Sequence, residues 1–218
     1  MQAIKIPATQ KSFYTPNQAE QNLNKINNVI LPKYGKIIDK VSIMTGVPKE
    51  IITAFVFIES SGDQNASTNW ATGLLQVGNS SASDALVFEK SSGRLGKEED
   101  TLVRKYLGSR YSNLEKLKPN QKTISKTFVT KQDLLDPTFN LLTGTILLGQ
   151  LIDEFSQNGV PRLDKIVVIY NRGRFDKVSK QIAKSGKGID EIISSIPKGT
   201  GEYITKLVGK HSLLDSLV

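Results

Sequence analysis

Apolar positions along the chain recur at helical rather than strand spacing almost throughout. Between residues 16 and 41, Leu23, Ile26, Ile30, Leu31, Ile37, Ile38 and Val41 follow the helical period. Pro32, which lacks a backbone donor, interrupts the run and predicts two helices or one kinked helix. Gly46 ends that stretch. Val47-Pro48-Lys49-Glu50 opens the next helix, with Pro48 suited to a first turn and Glu50 to the positive end of the dipole. From Ile51 to Ser60 the chain is apolar almost all round, as a buried helix is, and Ser60-Ser61-Gly62-Asp63 stops it. Residues 63–72 read as a polar loop holding the only tryptophan, Trp70, and Gly73-Leu74-Leu75-Gln76-Val77 follows. Residues 89–132 are dense in charge, Gly, Ser and Thr. Weak periodicity around Leu102, Val103, Tyr106, Leu107, Leu114 and Leu117 predicts one or two short helices in an inserted subdomain. A long helix is expected over 137–158, with Leu141, Leu142, Thr145, Leu148, Leu151, Ile152 and Phe155 on its apolar face. Gly144 and Gly149 in it point to close packing, since each costs about 1 kcal/mol relative to Ala. Gly159-Val160-Pro161 breaks it. A second buried segment, 163–170, ends at Asn171-Arg172-Gly173, and short helices are expected over 175–183, 189–196 and 203–217. No strand pattern emerges. The expected class is all-α, with residues 1–15 as a flexible N-terminal arm and 16–218 as one domain carrying the insertion at 89–132.

Composition narrows the chemistry. The chain has 218 residues, no cysteine and one histidine, His211. That excludes a disulfide scaffold, a thiol nucleophile, a cysteine-based zinc site and a multi-histidine metal cage. No metal or cofactor is expected, and any catalysis falls to carboxylates, hydroxyls, amides or lysines. The net charge of +8 favours polyanionic partners or is plain solvated surface charge. Lys177, Lys180, Lys184 and Lys187 recur at a spacing that places them along one helix face, without interleaved aromatics, so nucleic acid is the partner least favoured. Met1 to Thr15 holds no apolar stretch of signal-peptide length, and no window approaches the roughly 18 apolar residues of a membrane span. The expectation is a soluble chain with no transmembrane segment, not exported by an ordinary cleaved signal.

Glu59 is the residue that changes the picture. A carboxylate in the last turn of a buried helix meets two effects that raise its pKa, burial and the negative end of the helix dipole. A general acid needs that setting. The plainer reading is a glutamate that frays into solvent. Plainer readings also exist for Tyr170 and Tyr203 as core or rim tyrosines, for Gln76 as a group that satisfies loop backbone, and for Asn171 as a helix cap.

Four pieces stand in order: Glu59-Ser60 at a helix end, Gly73-Leu74-Leu75-Gln76, Ile169-Tyr170-Asn171-Arg172-Gly173, and Thr200 with Tyr203-Ile204. Their order and spacing resemble the soluble lytic transglycosylase family, which has a lysozyme-like α domain. That family shows Glu-Ser, then Gly-Leu-Met-Gln, Ala-Tyr-Asn-Ala-Gly and Glu-Thr-Arg-x-Tyr-Val. The linking run Asp136-Pro137, Asn140, Gly144 and Leu148 also looks like its long-helix signature. The resemblance spans residues 34–209, with 89–132 outside it. It implies Glu59 as the single catalytic acid/base, and Gln76 and Asn171 as amides lining the glycan groove. It implies Tyr170 as hydrogen-bonded to the catalytic carboxylate, Tyr203 as an aromatic beside the cleft, and Ser67 or Thr68 as the hydroxyl near the substrate acetamido group. Leu75 replaces Met, Arg172 replaces a small residue and adds a charge at the groove edge, and Gly199 and Gly201 stand where the family has Glu and Arg.

The resemblance implies cleavage of the β-1,4 bond between N-acetylmuramic acid and N-acetylglucosamine in peptidoglycan strands, with a 1,6-anhydromuramoyl product. Ordinary glycosidases use two carboxylates; here Asp63, Asp84, Asp136 and Glu202 are the candidates for a partner, and the family supports none. A hydrolysing lysozyme on the same fold and a non-catalytic structural virion or wall-binding protein are the alternatives. Without a signal peptide the chain is expected to reach the wall as a virion component, by release at lysis, or through a secretion apparatus, with virion or secretion-apparatus proteins as partners.

Overall fold

The computed structural model describes residues 9–123 and 126–218. Residues 1–8 of the expected arm and two residues of the expected insertion, 124–125, lie outside the described residues. Among the described residues helix takes 66% and strand 4%, so the protein is mainly α-helical. The chain divides into two compact units, one of Val29–Gly149 and the other of the residues up to Asn28 with Gln150–Val218.

In the first unit, α2 (Leu31–Thr45) begins with Pro32 in its first turn and ends on Gly46, whose φ of 73° is the left-handed cap conformation. Helix α1 (Pro16–Lys25) leads into it through a π-helical turn at Ile26–Ile30, so the run is continuous with an irregular joint just before Pro32. Helix α3 (Lys49–Ser60) starts with Pro48 as its N-cap rather than inside the first turn. Ile51 through Phe57 are buried on every side, so its apolar pattern reports true burial. Ser61, in the left-handed region at φ 54°, ends it.

Helix α4 (Asn79–Ser91), α5 (Lys97–Leu107), a 3-10 turn at Gly108–Tyr111 and α6 (Ser112–Glu115) follow. The charged stretch is bound by side chains of lower exposure. Ser83 Oγ accepts from the backbone N–H groups of Phe128 and Val129 at 3.2 and 3.1 Å. Arg110 forks onto Asp133 at 2.5 and 2.8 Å. Burial pushes the Asp133 carboxyl up, but the bonds from Arg110 and Thr130 outweigh it and hold the group below its usual range. Asp133 lies in the short α7 (Lys131–Leu134). Tyr106 donates to Asp136 at 2.9 Å, and Asp136 in turn accepts from the N–H groups of Thr138 and Phe139 at the start of α8 (Pro137–Glu154). A Cβ on Gly144 in α8 would lie 2.6 Å from Leu75 Cδ1, which explains that glycine as a close approach, whereas Gly149 meets Val47 only at an ordinary 3.4 Å.

In the second unit the expected final turn of the long helix is instead a hairpin. Ser156–Gln157 (β1) pairs antiparallel with Val160–Pro161 (β2) across Asn158 and Gly159, both at positive φ. Asn-Gly suits a two-residue turn of that kind, a local signal stronger than the helical period it ends. Helix α9 (Leu163–Arg172) is buried from Leu163 to Ile169. It is followed by α10 (Lys177–Lys184), α11 (Ile189–Ser195), α12 (Lys198–Val208) and α13 (Leu213–Leu217). The segment expected as one helix over 203–217 is two, because the chain turns extended at Gly209, where a Cβ would lie 2.5 Å from the Lys11 carbonyl. Residues 9–12 run along this unit. Thr9 is buried and donates to Asp190, and Lys210 N–H donates to the Lys11 carbonyl at 3.0 Å.

Candidate functional site

Glu59 lies half-buried in the last turn of α3, as its position before Ser60-Ser61-Gly62 predicts. Ser60 closes that turn. Its Oγ donates to the Val56 carbonyl at 3.1 Å and accepts from Gly62 N–H at 3.2 Å. The helix therefore stops abruptly after the carboxylate instead of fraying. A Cβ on Gly62, at φ 83°, would fall 2.8 Å from Ile30 Cγ1, so the exit path is tight as well.

The loop after α3 is ordered by its own hydrogen bonds. Asp63 Oδ1 accepts from Asn65 N–H at 2.9 Å, and Gly73 N–H donates to the Ala66 carbonyl at 2.8 Å. Thr68 Oγ1 accepts from the N–H groups of Trp70 and Ala71 at 3.2 and 3.0 Å, while Thr68 N–H donates to the Ala71 carbonyl at 2.8 Å. Thr68 is thus committed to a tight turn. Ser67 is exposed, and its hydroxyl makes only long contacts, 3.4 Å to the Thr68 carbonyl and 3.5 Å to Thr72 Oγ1. Of the two hydroxyls, Ser67 is the one available to a ligand. Trp70 stands at the tip of the turn, 86% exposed.

Gly73-Leu74-Leu75-Gln76 is sealed from below by Asn140, a fully buried amide on α8. Asn140 Oδ1 accepts from Leu75 N–H at 2.8 Å, and its Nδ2 donates to the Thr72 and Leu134 carbonyls at 2.7 and 3.0 Å. Gly73 sits at φ 82°, and a Cβ there would fall 2.2 Å from Asn140 Nδ2. Gln76 is held at φ 43°, and its Nε2 donates to the Ala66 and Gly73 carbonyls at 2.8 and 2.9 Å. Both donor positions of that amide serve the loop. Its Oε1 accepts no hydrogen bond among the described residues, so what Gln76 can offer a ligand is an acceptor.

In the other unit, Tyr170 is half-buried and Asn171 exposed, both in the last turn of α9, and Tyr203 is half-buried on α12. Arg172 beside them is not a loose groove-edge charge. Its Nε and Nη2 donate to Asp176 at 2.8 and 3.2 Å, and its Nη1 donates to Thr200 Oγ1 at 3.3 Å. Asp176 also caps α10, accepting from the N–H groups of Val178 and Ser179 at 2.8 and 3.2 Å. The Arg172 guanidinium, with those backbone donors, holds the Asp176 carboxyl down at about 2. The i,i+4 placement of Asp176 takes up the charge that Arg172 introduces. One arginine thereby links α9, the α10 cap and the first turn of α12. A Cβ on Gly201 would lie 3.3 Å from the Ile193 carbonyl, so the glycine there matches tight packing on α11.

Glu59, Ser67, Thr68 and Gln76 therefore belong to one unit, and Tyr170, Asn171 and Tyr203 to the other. Two positioning residues were not read as such from the sequence. Asn140 was visible as an amide beside an apolar helical face, and Arg172 carried its partner four residues on. Among the described residues no group of three or more His, Asp or Glu side chains is gathered as a metal site. No protein-family model matches the chain, and no curated protein matches it in sequence.

Proposed function

We propose that this protein is a peptidoglycan lytic transglycosylase with a lysozyme-like domain, and that Glu59 is its acid/base. The observation that carries the reading is a half-buried carboxylate at the abruptly closed end of an otherwise buried helix, followed by a loop locked in place by Gln76 and Asn140. A half-buried carboxylate at a closed helix end, with a rigid following loop, is the preorganisation that general acid catalysis uses.

In the proposed reaction Glu59 donates its proton to the glycosidic oxygen between N-acetylmuramic acid and N-acetylglucosamine. The muramoyl acetamido oxygen closes on the anomeric carbon as that bond breaks, giving an oxazolinium. Glu59, now ionised, takes the proton of the muramoyl C6 hydroxyl, whose oxygen displaces the acetamido oxygen to form the 1,6-anhydro ring. One carboxylate serves both halves, so no second carboxylate is needed. Ser67 Oγ and Gln76 Oε1 are the groups offered to substrate in one unit. The acceptor of Gln76 fits an acetamido N–H or a sugar hydroxyl. Tyr170, Asn171 and Tyr203, which the resemblance also marks for the glycan, belong to the other unit. The excess of positive charge suits an anionic wall, and delivery as a virion component or release at lysis brings the chain to it.

Glu59→Gln tests the assignment. The variant is expected to lose clearing of a peptidoglycan zymogram while melting at the wild-type temperature. Wild-type clearing by a folded Glu59→Gln protein would refute Glu59 as the acid.

A further inference from the structure

Every arginine of the chain is ion-paired: Arg94 with Glu89, Arg104 with Glu115, Arg110 with Asp133, Arg162 with Asp164, Arg172 with Asp176 and Arg174 with Glu154. The uncompensated positive charge is on lysines, and one exposed row of it lies on α10. Lys177, Lys180 and Lys184 occupy the exposed face of that helix, opposite the buried Ser179 and Ile182, and exposed Lys187 continues it beyond the helix end. None of the four pairs with a carboxylate among the described residues. The acidic groups of neighbouring sequence are engaged elsewhere: Glu154 with Arg174, Asp164 with Arg162, Asp176 with Arg172, Asp190 with Thr9 and Glu191 with Gly188 N–H.

The face is rigidly presented. An eight-residue helix is too short to be stable alone, yet α10 is pinned at both ends. Arg172 holds the Asp176 cap, Lys165 Nζ donates to the Ala183 and Ser185 carbonyls at 3.2 and 2.5 Å, and Arg162 donates to the Lys187 carbonyl at 2.7 Å. Phe175 stands just ahead of the helix, 81% exposed, with Lys180 Nζ 5.8 Å from its ring centre.

We infer that the α10 face, with Phe175 as its apolar tip, is a docking surface for an anionic phospholipid bilayer. The lysines supply attraction to the lipid phosphates, and a phenyl ring so exposed in water finds an apolar phase at the acyl boundary, which a soluble polyanion does not offer. Lysine in place of arginine fits a diffuse anionic sheet, because ammonium groups act as point charges without the fork that reads one phosphate. The inference does not depend on the proposed cleavage of peptidoglycan.

Co-sedimentation of the full chain with vesicles tests it. Binding is expected to vesicles of equal parts phosphatidylglycerol and phosphatidylcholine, and not to phosphatidylcholine alone. The double variant Lys180→Glu with Lys184→Glu should weaken binding at least about tenfold, since each lysine near such a surface contributes appreciably. Phe175→Ser should weaken it severalfold and leave the salt dependence unchanged. Circular dichroism melting confirms that both variants are folded. Equal binding to neutral vesicles, or unchanged binding by the double variant, would overturn the proposal. So would Phe175→Ser binding as wild type, or binding to duplex DNA or a soluble phosphate polymer without binding to vesicles.

Discussion

Two segments carry the proposed site chemistry, and different forces hold them. In Val29–Gly149, the Gly73-Leu74-Leu75-Gln76 turn rests on neutral amide groups: Asn140 bonds three backbone groups and Gln76 two more. In the other unit, the end of α9 rests on charge, with Arg172 joined to Asp176 and Thr200. The first support, centred on fully buried Asn140, is neutral and indifferent to pH and salt. The second is partly open to solvent, screened by salt and dependent on an ionised carboxylate. Buried neutral bonds fix geometry at high cost when broken, while a half-exposed ion pair is a lighter tie that conditions can loosen.

Removing the buried bracket should have the largest effect. Asn140→Ala leaves Leu75 N–H and the Leu134 carbonyl without the Asn140 partner, at about 1–3 kcal/mol for each unsatisfied group, and takes one of two donors from the Thr72 carbonyl, which keeps Val77 N–H at 3.1 Å. A loss of about 3 kcal/mol or more is expected in denaturant unfolding, with the midpoint falling equally at low and high salt. The half-exposed tie should matter less. Asp176→Ala is expected to lower the melting temperature by less than Asn140→Ala does, and the gap between variant and wild type should narrow in high salt. Acid sharpens the same contrast. The Asp176 carboxyl is lowered from 3.8 to about 2, so the unfolded chain takes up the proton first. Its contribution is complete above about pH 4 and fades as pH falls through about 2. Over that window the difference between wild type and Asp176→Ala should vanish, while the penalty of Asn140→Ala persists.

The smallest effects separate the two loop hydroxyls. Thr68→Ala removes the acceptor for Trp70 and Ala71 N–H groups and should cost about 1 kcal/mol of stability. Ser67→Ala should leave stability unchanged and raise KM for muropeptide substrates. The reverse pattern would exchange their roles.

The helical class, the abrupt end after Glu59 and the closeness required at Gly144 were legible in the sequence because each follows from local rules of period, capping and backbone approach. The hairpin at Asn158-Gly159 was missed because the apolar period of α8 reads on to Phe155 and overshadowed a two-residue turn signal. The split near Gly209 was missed for another reason. It depends on the Lys11 carbonyl, distant in sequence, occupying the space a side chain would take. The choice between Ser67 and Thr68 turns on which hydroxyl the turn consumes, and that is a property of geometry rather than of residue type. Arg172, read from the sequence as an added charge, is neutralised by a partner one helical turn away.

Mass analysis of the soluble fragments released from purified sacculi tests the central claim most directly. The account predicts muropeptides ending in 1,6-anhydromuramic acid from the wild-type protein and none from Glu59→Gln. Fragments with reducing ends, or none released by the folded wild-type protein, would contradict it.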